Sequence, residues 1–298
     1  MSPAEKACYW NSLVTGPEPT VGSRLTVHTI LLLEEVGIPS IPWGWGPLAF
    51  AGDNLGIPEV ELAIHAKVIK RACNVLVANG LHVCEDASCL QWRVDRQETP
   101  GLLKTTHQYH FVTEFHFHIG PEMTLSLVPK EDILWWMPDL KLGDPDPQDP
   151  HLTLSTDPRL PARLPGGPSG PWSRQRAVKV LRPSAFTEAV LLLLMKDIGS
   201  KPFPFHTPGR SPIDQLWNYM LMALSDSHRP ETYHKELSPR FQKAWDYLCD
   251  KRPKGMNCWV PFFRLRYQMI KNSELPGDDF PYRDITKLKG GEAGYEGF

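Results

Sequence analysis

Apolar positions along the chain change period several times, and each change predicts an element. Leu25, Val27, Leu31, Leu32 and Val36 fall close to helical spacing, and Gly37 supplies a stop, so residues 24–36 read as a helix. Ile38 to Trp43 is short, apolar and contains proline, which predicts a strand running into the turn at Gly44 to Gly46. Leu48 to Ala51 then form a brief helix. From Glu59 to Ile64 the acids alternate with Val60, Leu62 and Ile64, the period of a half-buried strand with both glutamates on one face. Val68, Ile69, Ala72, Val75 and Leu76 make a helical stripe over Ala66 to Ala78, and strand character resumes at Leu81 to Cys84.

Further strands are predicted at Trp92 to Asp95, His107 to His118, Met123 to Leu127 and Ile133 to Met137, as an antiparallel extension that brings the sheet to five or more strands. Ten prolines between Pro138 and Pro183 mark that stretch as a long loop or linker. Beyond it, helices are predicted over 184–196, 211–224, 241–249 and 259–270, with a frayed tail from Gly277. The expected organisation is an α/β (α+β) domain over 1–137, a proline-rich connection over 138–183, a helical bundle over 184–274 and a flexible tail over 275–298.

Bulk properties narrow the function classes. The chain has 298 residues, 33.8 kDa and 41% hydrophobic residues, enough for a sizeable core. With 32 basic against 34 acidic residues, it carries no field that would attract nucleic acid or an anionic membrane. The amino terminus has no secretory pattern and the longest apolar run, Ala189 to Met195, is too short to span a bilayer, so the expected location is the cytoplasm. Six cysteines without a CxxC pair read as reduced thiols.

Residues 42–64, PWGWGPLAFAGDNLGIPEVELAI, resemble the signature of the nucleotidyltransferase superfamily: a strand ending in a glycine turn, a short helix closed by a further glycine, and a second strand presenting two acids one residue apart. Gly44, Gly52, Glu59 and Glu61 match at all four positions. The IPWG start and the Leu134 to Pro138 segment look more narrowly like a group of uncharacterised fungal proteins with this fold. The resemblance implies a nucleotidyltransferase-like mixed sheet with flanking helices, followed by the helical bundle. It also implies Glu59 and Glu61 as Mg²⁺ ligands, Glu114 as the third acid and a glycine turn that approaches phosphates.

Several positions depart from that pattern. Trp45 stands where a second glycine or serine is usual, both acids are glutamate rather than aspartate, and Leu55 and Ile57 replace polar residues. The altered signature implies a cleft for an apolar, planar ligand, lined by Gly44, Gly46, Trp43, Leu55, Ile57 and Trp135. The first reading is therefore a repurposed fold that needs no cofactor and shapes the cyclisation or isomerisation of a small organic molecule in fungal secondary metabolism. Glu59, Glu61 and Glu114 would be its acidic groups, with Trp45, His116 and Tyr109 as hydrogen-bond donors. The alternative is a working nucleotidyltransferase using Mg²⁺ and a nucleoside triphosphate; a third is a noncatalytic interaction protein. Oligomeric state is left open.

Two other patterns have blander explanations. His110, Glu114, His116 and His118 share a strand face and could chelate zinc or iron, but a polar face packed under a helix or open to water is commoner. Lys67, Lys70 and Arg71 could meet phosphates, although a solvated helix face is the simpler reading.

Overall fold

The computed structural model describes residues 2–15, 21–52, 59–86, 89, 115–120, 123–162, 170–197, 220–225, 234–249 and 260–276. It is a mixed α and β protein. Among the described residues, four strands form the central sheet: β1 (Ser40–Trp43), β2 (Glu59–Ile64), β3 (Phe115–Ile119) and β4 (Met123–Pro129), in the order β1-β2-β4-β3. β1 runs antiparallel to β2, β4 parallel to β2, and β3 antiparallel to β4. Of the predicted antiparallel extension, β3 and β4 are antiparallel and join the first strands through the parallel pair β2 and β4, while Trp92 to Asp95 and residues 107–114 lie outside the described residues. Leu81 to Cys84 adds only a bridge, Val83 to Phe117, at the β3 edge.

Register divides the side chains between two faces. Val60, Leu62, Ile64, Leu125, Leu127, Phe117 and Ile119 belong to one apolar cluster, packed beneath α1 (Pro3–Ser12), α2 (Ser23–Glu35) and α4 (Ala66–Ala78) through Trp10, Leu25, Ile30, Leu33, Ile69 and Leu76. Ile41, Trp43, Ala63 and Val128 belong to the second. There they meet α3 (Leu48–Ala51), α6 (Pro183–Asp197), the helical residues 220–225, α7 (Pro239–Cys249) and α8 (Val260–Lys271). Trp43 packs edge-on against Phe186 of α6, ring centroids 5.4 Å apart.

Several findings differ from the sequence reading. β2 is buried at all six positions rather than half-exposed, because helices cover both faces of the sheet. Ile133 to Met137 is not a strand: α5 (Lys130–Ile133) and a turn occupy this region, with the Leu134 amide bonded to the Lys130 carbonyl at 2.7 Å. The buried Lys130 ammonium donates to the Met137 carbonyl and holds that turn closed. Finally, α1 has no counterpart in the apolar pattern. It is announced instead by a capping box in which the Ser2 amide donates to Glu5 Oε2 at 2.5 Å and the Glu5 amide to Ser2 Oγ at 3.3 Å.

The proline-rich stretch contains a short antiparallel ladder, β5 (Leu152–Leu154) with β6 (Lys179–Leu181). Lys179 anchors it. Its buried ammonium donates to Glu34 Oε1 at 2.6 Å and to the carbonyls of Lys141 and Gly143 at 2.8 Å, tying the ladder to α2. Among the described residues no helix is long and apolar enough to cross a membrane.

Candidate functional site

Glu59 and Glu61 lie on the same face of β2 as Ala63, the face covered by α6 and its neighbours. Both are buried, at 3% and 6% exposure. Burying carboxyl groups costs free energy unless polar or charged groups compensate them. The register places Trp43 beside Glu61 on β1 and Ser126 beside it on β4, and Thr124 beside Glu59. The two neighbours on β4 are hydroxyls.

Gly44 sits directly on this pair. Its φ is +70°, and a Cβ built there would fall 1.6 Å from Glu61 Oε2, so only glycine lets the turn pass over the carboxyl group. Trp45 is 5% exposed within the second apolar cluster, and its buried indole N–H has no hydrogen-bond acceptor among the described residues. Gly46 differs. It is the one half-exposed residue from Ile41 to Phe50, and a Cβ there would meet no atom of the described residues within 4 Å. The turn is therefore closed over Glu61 at Gly44 and open at Gly46.

The remaining expected site residues separate into groups. Trp43 is buried against Phe186. Trp135 is directed to the helical layer, donating to the Glu274 carbonyl at 3.2 Å and lying under the Lys196 ammonium, 5.6 Å from its ring centroid. Leu55, Ile57, Tyr109, His110 and Glu114 lie outside the described residues. Lys67, Lys70 and Arg71 are on α4, which packs on the face of the sheet opposite the acids; Lys67 instead lies 3.7 Å from Asp139, and Arg71 donates to the Val36 carbonyl. They cannot serve a ligand held at the acid pair.

His116 keeps company that its sequence position does not announce. The Cys84 amide donates to the His116 carbonyl at 2.9 Å, which with the Val83 to Phe117 bridge brings Cys84 alongside His116 at the sheet edge. Cys89 Sγ lies 3.4 Å from the Nε2 atoms of both His116 and His118. The donor atoms of Cys84, Cys89, His116 and His118 all fall within 4.8 Å of one another.

At the end of β2, buried His65 lies between two acids, 2.7 Å from Glu131 and 3.4 Å from Asp139. Glu131 also accepts from the Ala66 amide at 2.8 Å, which caps α4. Burial pushes the Glu131 carboxyl up, but the hydrogen bonds from His65 and the Ala66 amide outweigh it and hold the group below the ordinary glutamate range. This cluster fixes the junction of β2 with α4, one residue past the acid-bearing strand.

No known protein family, curated protein or solved structure matches the chain. The reading of the site rests on its own chemistry.

Proposed function

We propose that the Glu59/Glu61 face is the binding site of a small, largely apolar organic molecule, in a nucleotidyltransferase-like fold adapted to proton handling rather than phosphate chemistry. The observation that carries this reading is two buried carboxyl groups on one strand face, with the Gly44 turn over Glu61 and Trp43 beside it on β1. Carboxyl groups held in an apolar, water-poor setting can polarise a carbonyl or move a proton between carbon and oxygen, as a cofactor-free isomerisation or cyclisation requires. The unsatisfied Trp45 N–H supplies a donor that a ligand oxygen would meet. Gly46, where the turn is open, is the side from which such a ligand would approach.

A Mg²⁺-dependent nucleotidyltransferase is the second reading, favoured by the contact between the Gly44 turn and Glu61, since that family sets its metal-binding acids beside a glycine turn. Against it stand the bulk of Trp45 in the turn and the hydroxyl neighbours on β4. Calorimetric titration of the full chain with MgATP separates the two. The first reading expects no binding heat. Heat that disappears in both Glu59→Gln and Glu61→Gln would establish the second.

A further inference from the structure

We propose that Cys84, Cys89, His116 and His118 form a tetrahedral zinc site that clamps Cys84 and Cys89 to β3. The inference does not depend on what the acid pair binds. It rests on four side chains, from two segments far apart in sequence, brought to one point at the sheet edge. His116 and His118 are two apart on β3 and so project from the same face, with ring planes at 82° and centroids 5.4 Å apart. Cys84 is set beside them by its backbone hydrogen bond to His116, and Cys89 reaches back across both rings.

The donor set and the distances both suit zinc. Two thiolates and two imidazoles are a common ligand set for Zn²⁺, and bond lengths of roughly 2.3 Å to sulfur and 2.0–2.1 Å to nitrogen place tetrahedral sulfur and nitrogen ligands about 3.6 Å apart. Cys89 Sγ stands 3.4 Å from each Nε2, close to that separation, and the whole set within 4.8 Å needs only small side-chain rotations to close. Two thiolates balance the charge of Zn²⁺, so the loaded site is neutral, which suits a place where His116 is buried and both cysteines are half-buried. His118 is exposed, which gives the ion a way in.

All four positions are filled by protein, so the site is structural rather than catalytic. Binding proceeds with loss of a proton from each thiol to solvent and no change of oxidation state. The ion would join Cys84 and Cys89 to β3, two parts of the chain far apart in sequence. As a metal ligand His116 would not be a donor to an organic substrate, and it stands two strands away from Glu61 in the sheet order.

The test is a Co²⁺ titration of the full-length chain, purified under reducing conditions and freed of metal with a chelator. The expected result is one ion per chain, with a thiolate-to-cobalt charge-transfer band and the d–d absorption of a tetrahedral centre, both abolished by added Zn²⁺, and about two protons released per ion near neutral pH. Cys84→Ser and Cys89→Ser should each diminish the charge-transfer band, and His118→Gln should weaken binding by at least about tenfold. Cys8→Ser should change nothing. Should a cysteine variant fail to fold, the wild-type titration and His118→Gln, whose side chain is exposed, still decide. No charge-transfer band in the wild type overturns the proposal, as does a spectrum indifferent to Cys84→Ser and Cys89→Ser, or a Cys84–Cys89 disulfide in reduced preparations that take up no metal.

Discussion

Gly44 and Glu61 are a matched pair, and the match can be tested by removing either member. A methyl group at Gly44 would overlap the Glu61 carboxyl and also meet an unfavourable positive φ. Gly44→Ala should therefore destabilise the fold by about 3 kcal/mol, the backbone conformation accounting for about 1–2 kcal/mol of it. Placing Gly44→Ala in a Glu61→Ala background removes the overlap, so denaturant unfolding should return only the backbone part. Equal costs in both backgrounds would mean that the turn and the carboxyl group do not touch. The two residues were legible in the sequence because glycine spacing and acids one apart form a local pattern. The burial of Glu59 and Glu61 was not, because alternation with Val60 and Leu62 looks the same whether the polar face meets water or a second layer of protein. For Cys84 and Cys89 the obstacle was distance. Their partners are more than two dozen residues downstream, and metal-ligand patterns are recognised in sequence by short spacings.

Among the elements, the ladder of β5 and β6 depends on Asp157, just past β5. The Arg159 guanidinium beside Asp157 holds its carboxyl well below the usual carboxylate range; burial opposes this, while the Thr153 hydroxyl and the Arg159 amide reinforce it. A carboxyl group with a depressed folded-state pKa stabilises the fold above its unfolded value, about 3.9, and that contribution fades as pH falls through the folded-state value. Asp157→Asn should cost about 1–2 kcal/mol at neutral pH, allowing for the solvent around Arg159, and its stability should vary less than the wild type's below about pH 4. Parallel pH profiles for the two proteins would remove Asp157 from the account. This ladder lay hidden because prolines and glycines predict irregular backbone, and its stability comes from side chains such as Asp157 and Lys179 rather than from strand propensity. By contrast α4 and β2 appear at the predicted bounds, since each has a strong period and a clear stop. The misread turn at Leu134 to Met137 is an apolar run short enough to suit either strand or helix, and the Lys130 interaction with the Met137 carbonyl settles it.

For the whole molecule, the sheet separates two apolar clusters, and the acid pair projects from the side that the carboxyl-terminal helices cover. The helices beyond the proline-rich stretch thus share a core with Trp43 and Ala63. The most direct test is fluorescence titration with Nile red, a neutral, planar, polycyclic dye bearing a carbonyl, against the wild type and Gly46→Phe. The phenyl group would project from the side of the turn where a Cβ meets no atom of the described residues within 4 Å, and thermal unfolding of Gly46→Phe checks that the fold is kept. The account predicts saturable binding to the wild type that weakens at least about tenfold in Gly46→Phe. Dye binding equally tight in both proteins, or none to the wild type, would contradict it.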